Sequence, residues 1–592
     1  MKTNIFSNIK KQVAKLTTPL SLWRGVGCEA LVLLALLTAC SDQWDDHYDG
    51  TATGLNMNEG SLWEAIKSNP ELTNFASVIE ATGYDRSLKS SQVFTVFAPT
   101  NSTFSQEEAS QMISLFDQQK ASSTREEDNT VVKEFVKNHI SLFNYSVADG
   151  CTDTITTMNG KRHVLDNNQF SGIDLTSKNA LYNNGILFTL SNKVPYYANV
   201  FEYLEKDAQL DRVRAFLYND LHYTFDIDEE HSVPDSIRDG QTVYSDSVMI
   251  LENTLFDFEA LNAKLNSEDS TYWMVVPTNE VWDSLIEVYK PYFIYEKSIE
   301  KNLTEGNVDS LTYTNPRLAI MRGTIFSRTL NTDKMLADSA MSTNAYEYEL
   351  RKLAWGADTL DYYQYDQPLQ GIMANTTNVQ CSNGQVMKMS DWKFDPRQTF
   401  MQDIIVEVES QGAIKELVKA VVNKDSTETV IATPVIVSAD NPFYNQVSGH
   451  SYVEFTQQRA VNHSVILSIP NVLSNVPYDI YVRTVPALAG DTLAAEVDRA
   501  PIKMRFEIGY MGTDGKTKPE VIYSTFETNK DQVDTLLVKE GFKFPVSSYG
   551  VEETDPQTTL KITTNVTDNE VKSLSYQRTM RIDCIILKPR EE

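Results

Sequence analysis

Seven histidines, His47, His139, His163, His222, His231, His450 and His463, are the residues best suited to chemistry. Imidazole serves as base and as metal ligand near neutral pH. They are scattered, and none forms the paired spacing around a glutamate that zinc hydrolysis requires. Asp226, Asp228, Glu229 and Glu230 crowd four carboxylates together. Carboxylates hold hard cations, but the spacing and central glycine of a calcium loop are missing, so a solvated acidic loop is expected. Gly449-His450-Ser451-Tyr452-Val453 lacks the second glycine of a nucleophile elbow. No glycine-rich phosphate loop occurs. The expectation is a chain that is not an enzyme, with no catalytic residues, no metal ligands and no cofactor beyond a covalent lipid on Cys40.

Two further groups could bind rather than react. Tyr346, Tyr348, Trp355, Tyr362, Tyr363 and Tyr365 fall within one short stretch and are the candidate recognition residues. Such rings stack on sugar faces or anchor a partner, or else pad the core of their own loop. The cysteines are Cys28, Cys40, Cys151, Cys381 and Cys584, with no C-x-x-C pair. The last three are far apart and read as buried free thiols.

These residues must be held by larger elements, and one stretch organises them. Phe94-Thr95-Val96-Phe97-Ala98-Pro99-Thr100-Asn101-Ser102-Thr103-Phe104 reads as a strand covered on both faces. Phe94, Val96 and Ala98 share one face, Thr95 and Phe97 the other. Pro99 ends the ladder for lack of an N–H. Thr100, Asn101 or Ser102 is expected to cap the following helix. The stretch returns as Tyr272-Trp273-Met274-Val275-Val276-Pro277-Thr278-Asn279-Glu280-Val281-Trp282. Leu62, Leu72, Phe75, Val78 and Ile79 likewise recur 138 residues later as Val200, Leu210, Val213, Phe216 and Leu217. The second copy is longer, with insertions between Leu217 and Tyr272 and near 331–370. Asn183-Asn184-Gly185 and Asn383-Gly384 are hairpin turns that close the two copies.

A strand followed by Pro-Thr-Asn and then an aromatic resembles the signature of fasciclin-like domains. The resemblance implies an α/β fold, a helical layer packed on a wedge of strands. It implies fasciclin-like domains at 58–198 and, with insertions, at 199–400. Members of the family carry a Tyr-His pair near His139. Here it reads Asn138-His139, with roughly Arg322-Gly323 in the second copy, so His139 is expected to be a structural hydrogen-bonding residue.

From 401 to 592 the texture changes to short alternating runs: Val430 to Val437, Tyr452 to Phe455, Val465 to Ile469, Tyr478 to Val482, Met504 to Ile508 and Met580 to Leu587. That spacing predicts an all-β sandwich or jelly-roll domain, and it resembles galactose-binding-like jelly rolls. A short helix is expected over Gln411 to Val422.

The first 39 residues hold five basic residues and one acid, then an apolar run, Ala30 to Leu37, too short to span a bilayer. Leu37-Thr38-Ala39-Cys40 matches the lipobox of bacterial lipoproteins, which implies cleavage before Cys40 and a lipid on its sulfur. The segment 40–57 is an acidic tether. Within it Gln43-Trp44-Asp45-Asp46 looks like the export signal that takes lipoproteins of Bacteroidetes-type bacteria to the outer face of the outer membrane. The whole chain carries −29, of which the leader contributes +4, leaving −33. So acidic a surface excludes nucleic acid as a partner.

Taken together, the resemblances imply a lipid-anchored, surface-exposed outer-membrane protein that binds or scaffolds. It would be accessory to a SusC/SusD-type nutrient uptake system. The implied partners are a TonB-dependent transporter, a SusD-like lipoprotein and a glycan or peptide ligand. A stand-alone glycan-binding or cell-adhesion lipoprotein is the alternative.

Overall fold

Phe94–Pro99 is a fully buried strand at the middle of the first of two compact units, Met1–Tyr196 and Tyr197–Glu592. The computed structural model describes residues 57–590 except 123–124, 149–150, 228–231, 239–240, 305, 346–361, 424–425, 458–460, 488–492 and 496–498. Cys40, Gln43, Asp45, Asp46, Tyr346, Tyr348 and Trp355 therefore lie outside the described residues. Among the described residues no helix is long and apolar enough to cross a membrane.

In the first unit the strand runs parallel to Gly185–Leu190 and antiparallel to Ile140–Leu142, inside a seven-stranded sheet. Its two faces do different work. Phe94, Val96 and Ala98 pack with Leu62, Phe75, Ile79 and Phe104 beneath the helices. Phe97 faces a second cluster, stacked on Phe170 at 3.6 Å and beside Phe188 at 5.1 Å. The helix Gln106–Ala121 is capped by Ser105 and Glu108 as a reciprocal box, not by the Thr100–Ser102 triplet. Asn101 instead reaches backward. Its Nδ2 donates to Pro70 O at 2.9 Å, and its Oδ1 accepts from Asn74 N at 3.1 Å.

The second unit repeats this wiring. Tyr272–Pro277 runs parallel to Gly384–Met389 and antiparallel to Ile325–Ser327. Asn279 Nδ2 donates to Ala208 O at 2.8 Å, and its Oδ1 accepts from Arg212 N at 2.9 Å. Ala208 and Arg212 stand 138 residues after Pro70 and Asn74, the spacing of the buried helical stripe. The hairpin asparagines match too. Asn184 accepts from Leu62 N and donates to Leu88 O and Ser90 O. Asn383 accepts from Val200 N and donates to Leu265 O and Ser267 O. Each is a buried amide whose bonds join a helix start to the loop before the central strand.

The first insertion of the second copy is an exposed β-ribbon. Tyr223–Ile227 pairs with Met249–Asn253, and Val233–Arg238 pairs with Gln241–Asp246.

The remainder is a β-sandwich. One sheet runs in the order Ile431–Ile436, Ser451–Thr456, Met580–Pro589, Pro477–Thr484, Asp534–Lys543, with Ile404–Glu407 also on Met580–Pro589. The other runs Ile414–Val418, Ser464–Ser468, Thr559–Thr564, Lys503–Met511, Thr517–Glu527. Alternate residues of Pro477–Thr484 and Thr559–Thr564 are buried, as a sheet with one face in the core requires. The expected helix over Gln411 to Val422 is absent: Ile414–Val418 and Ala420–Asn423 are strands there. Ile414 to Val418 bonds across to Ser464–Ser468, and that pairing overrides the helical propensity of Lys415 and Glu416.

Candidate functional site

Inside the second unit the sandwich is joined to the lobe before it by buried polar bonds. Tyr295 OH donates to Tyr549 O at 2.8 Å, and Asn315 Nδ2 donates to Tyr295 OH at 2.6 Å and to Tyr549 O at 3.2 Å. Ser474 N donates to Tyr292 O and Ser547 N to Ile294 O. Around them Phe293 meets Phe400 at 5.5 Å and Tyr549 at 5.5 Å. Lobe and sandwich share one continuous hydrophobic core.

That seam leaves a cavity of about 590 Å³, within the size range of small-ligand sites. Tyr292, Asp395, Pro396, Arg397 and Met401 come from the lobe and its exit; Asn475, Val476, Pro477, Lys543 and Arg590 come from the sandwich. Its walls are set by hydrogen bonds to backbone carbonyls. Asn475 Nδ2 donates to Pro291 O at 2.8 Å, Met401 N to Pro396 O at 2.9 Å, and Arg590 N to Pro477 O at 2.8 Å. Three cationic side chains border the cavity against one carboxylate, Asp395. Arg590 is oriented by Glu540 at 2.8 Å and Asp479 at 3.5 Å, neither of which lines the cavity. Arg397 is held by Asp395 at 3.2 Å. Three cationic side chains thus border the seam, Arg397 and Arg590 of them ion-paired, in a chain whose formal charge is −29. An arginine fork beside a phenol and apolar walls can hold a carboxylate or sulfate group while a ring lies against Tyr292.

The candidate recognition tyrosines are placed elsewhere. Tyr363 and Tyr365 are each 4% exposed. Tyr365 packs edge-on to Phe326 at 5.8 Å and Phe394 at 5.4 Å, in the cluster under the outer face of Tyr272–Pro277. The half-buried Tyr362 accepts at its hydroxyl from Asp403 N at 2.8 Å. Tyr363 and Tyr365 belong to the lobe's own packing and do not offer a surface, which corrects the recognition reading for these two. The physical reason is the extra strand pair Ser339–Met341 and Gln364–Asp366, which carries Tyr365 inward.

His139 is fully buried. Its Nδ1 donates to Phe135 O at 2.7 Å and its Nε2 accepts from Val194 N at 3.0 Å. Burial pushes it down to about 4, so the ring is a neutral structural link. The strand register matches Ile140 to Ile325, which puts Thr324 opposite His139, one position on from the sequence alignment. His450 stacks on Tyr444 at 3.7 Å, with its Nδ1 bonded to Tyr444 O at 2.8 Å. Of the three later cysteines, Cys381 and Cys584 are buried free thiols, whereas Cys151 is exposed. Nothing in the sequence flagged the seam cavity, because its residues are spread over some 300 positions and share no motif.

The fasciclin domain family matches residues 70–193, so the first unit carries a fasciclin domain. The chain as a whole is multidomain and rich in β-structure. No curated protein matches it. Among solved structures, the chain is similar to a FAS1 domain pair from the insect cell adhesion molecule Fasciclin I. Identity is 10%, coverage 57% of this chain and 97% of that one, and the TM-score 0.17. It is also similar to the CBM22-1 xylan-binding domain of Paenibacillus barcinonensis Xyn10C, with 11% identity, 32% and 94% coverage and a TM-score of 0.19. A family 11 carbohydrate-binding module from Clostridium thermocellum, in complex with a mixed-linked tetrasaccharide, gives 9%, 32%, 97% and 0.19 in the same order.

Proposed function

We propose that this chain is a lipid-anchored, surface-exposed outer-membrane protein that binds a ligand without transforming it, accessory to a SusC/SusD-type uptake system. The leader and tether residues through Asp46 support the anchor and the surface location. The matched hydrogen bonds of Asn184 and Asn383, and of Asn101 and Asn279, support reading 199–400 as a second fasciclin domain. The observation that carries the binding role is the seam cavity, with Arg397, Lys543 and Arg590 around one opening in an acidic chain. Its chemistry suits an acidic saccharide bearing carboxylate or sulfate groups.

The exposed ribbon supports a protein partner. Its register sets Phe225 opposite Leu251 and Ile227 opposite Met249, which places four apolar side chains on one face. Phe225 is 71% exposed and Leu251 55%. A two-stranded ribbon is marginal alone in water, and an apolar face left open suits docking on another protein. A stand-alone glycan-binding or adhesion lipoprotein remains the second reading, favoured by the same cavity without the ribbon.

Calorimetric titration with oligogalacturonides and sulfated disaccharides, beside neutral oligosaccharides, tests the cavity. Acidic ligands should bind, and Arg590→Ala with Lys543→Ala should weaken them roughly tenfold or more, the scale of losing about 1.4 kcal/mol. Equal binding by wild type and double variant would remove the cavity from consideration. Recovery of a transporter and its lid lipoprotein with the wild type, and its loss with Phe225→Ser and Leu251→Ser, separates the accessory role from the stand-alone one.

A further inference from the structure

Glu407 and Asp583 come together inside the sandwich, with Glu409 two residues on, where three separate stretches of chain meet. Glu407 ends the strand Ile404–Glu407, which pairs with Met580–Pro589 so that Glu407 stands opposite Cys584. Val408 N donates to Asp583 O at 3.2 Å, which locks that end of the pairing. Glu409 follows as the strand leaves the sheet. Asp583 is fully buried, Glu407 is 7% exposed, and Glu409 is half-buried. Ligand atoms of Glu407, Asp583 and Cys584 all lie within 4.8 Å of one another.

The third stretch is the turn over 448–451. Gly449 and His450 both take left-handed backbone, φ 56° and 58°, and this folds the turn onto the acids. Ser448 N donates to Asp583 Oδ2 at 3.1 Å. Ser448 Oγ donates to Glu407 Oε1, and Ser451 Oγ to Glu409 Oε1. Each carboxylate therefore has one oxygen engaged and one left over. Glu407 Oε2, Glu409 Oε2 and Asp583 Oδ1 are buried without a hydrogen-bond partner among the described residues. The nearest cation, Arg483, stands with Nε 4.0 Å from Asp583 Oδ2, the oxygen already in use, and also bonds Thr535.

Buried carboxylates are found paired, protonated or on a metal, because removing a charge from water costs more than hydroxyl contacts return. Here Glu407 and Asp583 face each other, Glu409 follows two residues on, and one guanidinium stands at 4.0 Å from Asp583. We propose that Glu407, Glu409 and Asp583 bind one calcium ion through these three free oxygens. The donors are hard and anionic, and they sit in a turn that can add further oxygens, which suits calcium's high coordination number. Magnesium gives up its waters reluctantly and is a poorer occupant. Cys584 beside them offers a soft sulfur, which calcium does not take, so the carboxylate oxygens are the donors.

The position gives the ion a task. It staples the first strand of the sandwich sheet to the last, at the end of the pairing where Glu407 meets Cys584. The other end of the same pairing, Ile404 on Leu587, leads directly to Met401 and Arg590 of the seam cavity. Calcium would hold in register the two strands that present those residues.

The test uses the whole purified chain. EDTA-treated protein, its residual metal measured by elemental analysis, is titrated with calcium chloride and separately with magnesium chloride. Binding of one calcium per chain with a raised melting temperature is expected, and magnesium should give neither at the same concentration. Calcium retained through EDTA and found by elemental analysis counts equally in favour. Asp583→Asn should lower calcium affinity at least a hundredfold. Because it leaves one acid where two buried acids faced each other, its calcium-free form should melt no lower than calcium-free wild type. Should that variant fail to fold, Glu409→Gln at the rim should keep the fold and lower affinity at least tenfold. Cys584→Ser should bind calcium as the wild type does. Stripped wild type that takes up no calcium, equal uptake of magnesium, or undiminished binding by Glu409→Gln and Asp583→Asn would overturn the assignment.

Discussion

Gly185 lies against Phe94 so closely that a Cβ on it would fall 1.9 Å from the Phe94 carbonyl oxygen. Gly384 stands in the same relation to Tyr272, at 1.8 Å. Both glycines have positive φ, 146° and 139°. The parallel pairing of the two central strands begins at these residues, so the backbone must come this near for the ladder to start. Gly185→Ala is expected to destabilise the first unit by about 3 kcal/mol or more, since clash and backbone strain act together. Hydrogen exchange should show the lost protection concentrated in residues 57–196. Gly384→Ala should do the same to the second unit.

Tyr365 offers a second test, because its ring and its hydroxyl make opposite forecasts. The ring is packed between Phe326 and Phe394, while the hydroxyl is buried without a partner among the described residues. Tyr365→Phe should leave the melting temperature unchanged or raise it, as it removes an unsatisfied polar atom. Tyr365→Ala should cost about 3–5 kcal/mol by opening a cavity. A shortened loop that runs through Tyr365 would therefore unfold the lobe rather than spare it. Urea midpoints of the two variants check this.

The first unit should weaken in acid. His139 and His163 are both held down to about 4, mainly by burial, against about 6.5 when unfolded. The unfolded chain thus takes up protons first as the pH falls. Their contribution is complete above about pH 6.5 and is lost progressively down to about pH 4, on the order of 3 kcal/mol each at most. Chemical denaturation at pH 7.5, 5.5 and 4.5, followed by exchange in residues 57–196, should show the decline. A stability that stays level across this range would contradict the neutral, buried state of both rings.

The tether prediction concerns residues before the first unit. Wild type should incorporate labelled palmitate and fractionate with outer membranes, and Cys40→Ala should do neither. With Asp45 and Asp46 both changed to Ala, the protein should stay lipidated but become protected from protease added to intact cells. Lipidated protein equally digested in both forms would show the Gln43–Asp46 stretch to be a linker only.

The repeat was legible in the sequence because it is written in local chemistry. A proline stops a strand, an asparagine-glycine pair turns a hairpin, and apolar residues alternate at period two where both faces are covered. Each is a short-range rule, so Phe94–Pro99 and Tyr272–Pro277 announce themselves without a structure, as do most strands of the sandwich. The caps were less legible: Asn101 looks like an N-cap of the next helix, and only tertiary contact sends it back to Pro70 and Asn74. Gln411 to Val422 shows the same limit, since a polar, helix-prone stretch became strand through its partner Ser464–Ser468. Tyr363 and Tyr365 could be read either as a surface or as a core, and the pairing of Ser339–Met341 with Gln364–Asp366 decided for the core. The sites themselves were not legible at all. Arg397 meets Lys543 and Arg590 only across the seam. Glu407 meets Asp583 only because the first strand of the sandwich pairs with the last, bringing together carboxylates 176 residues apart. Local patterns specify elements, but charges far apart in sequence converge only through the long-range pairing of strands.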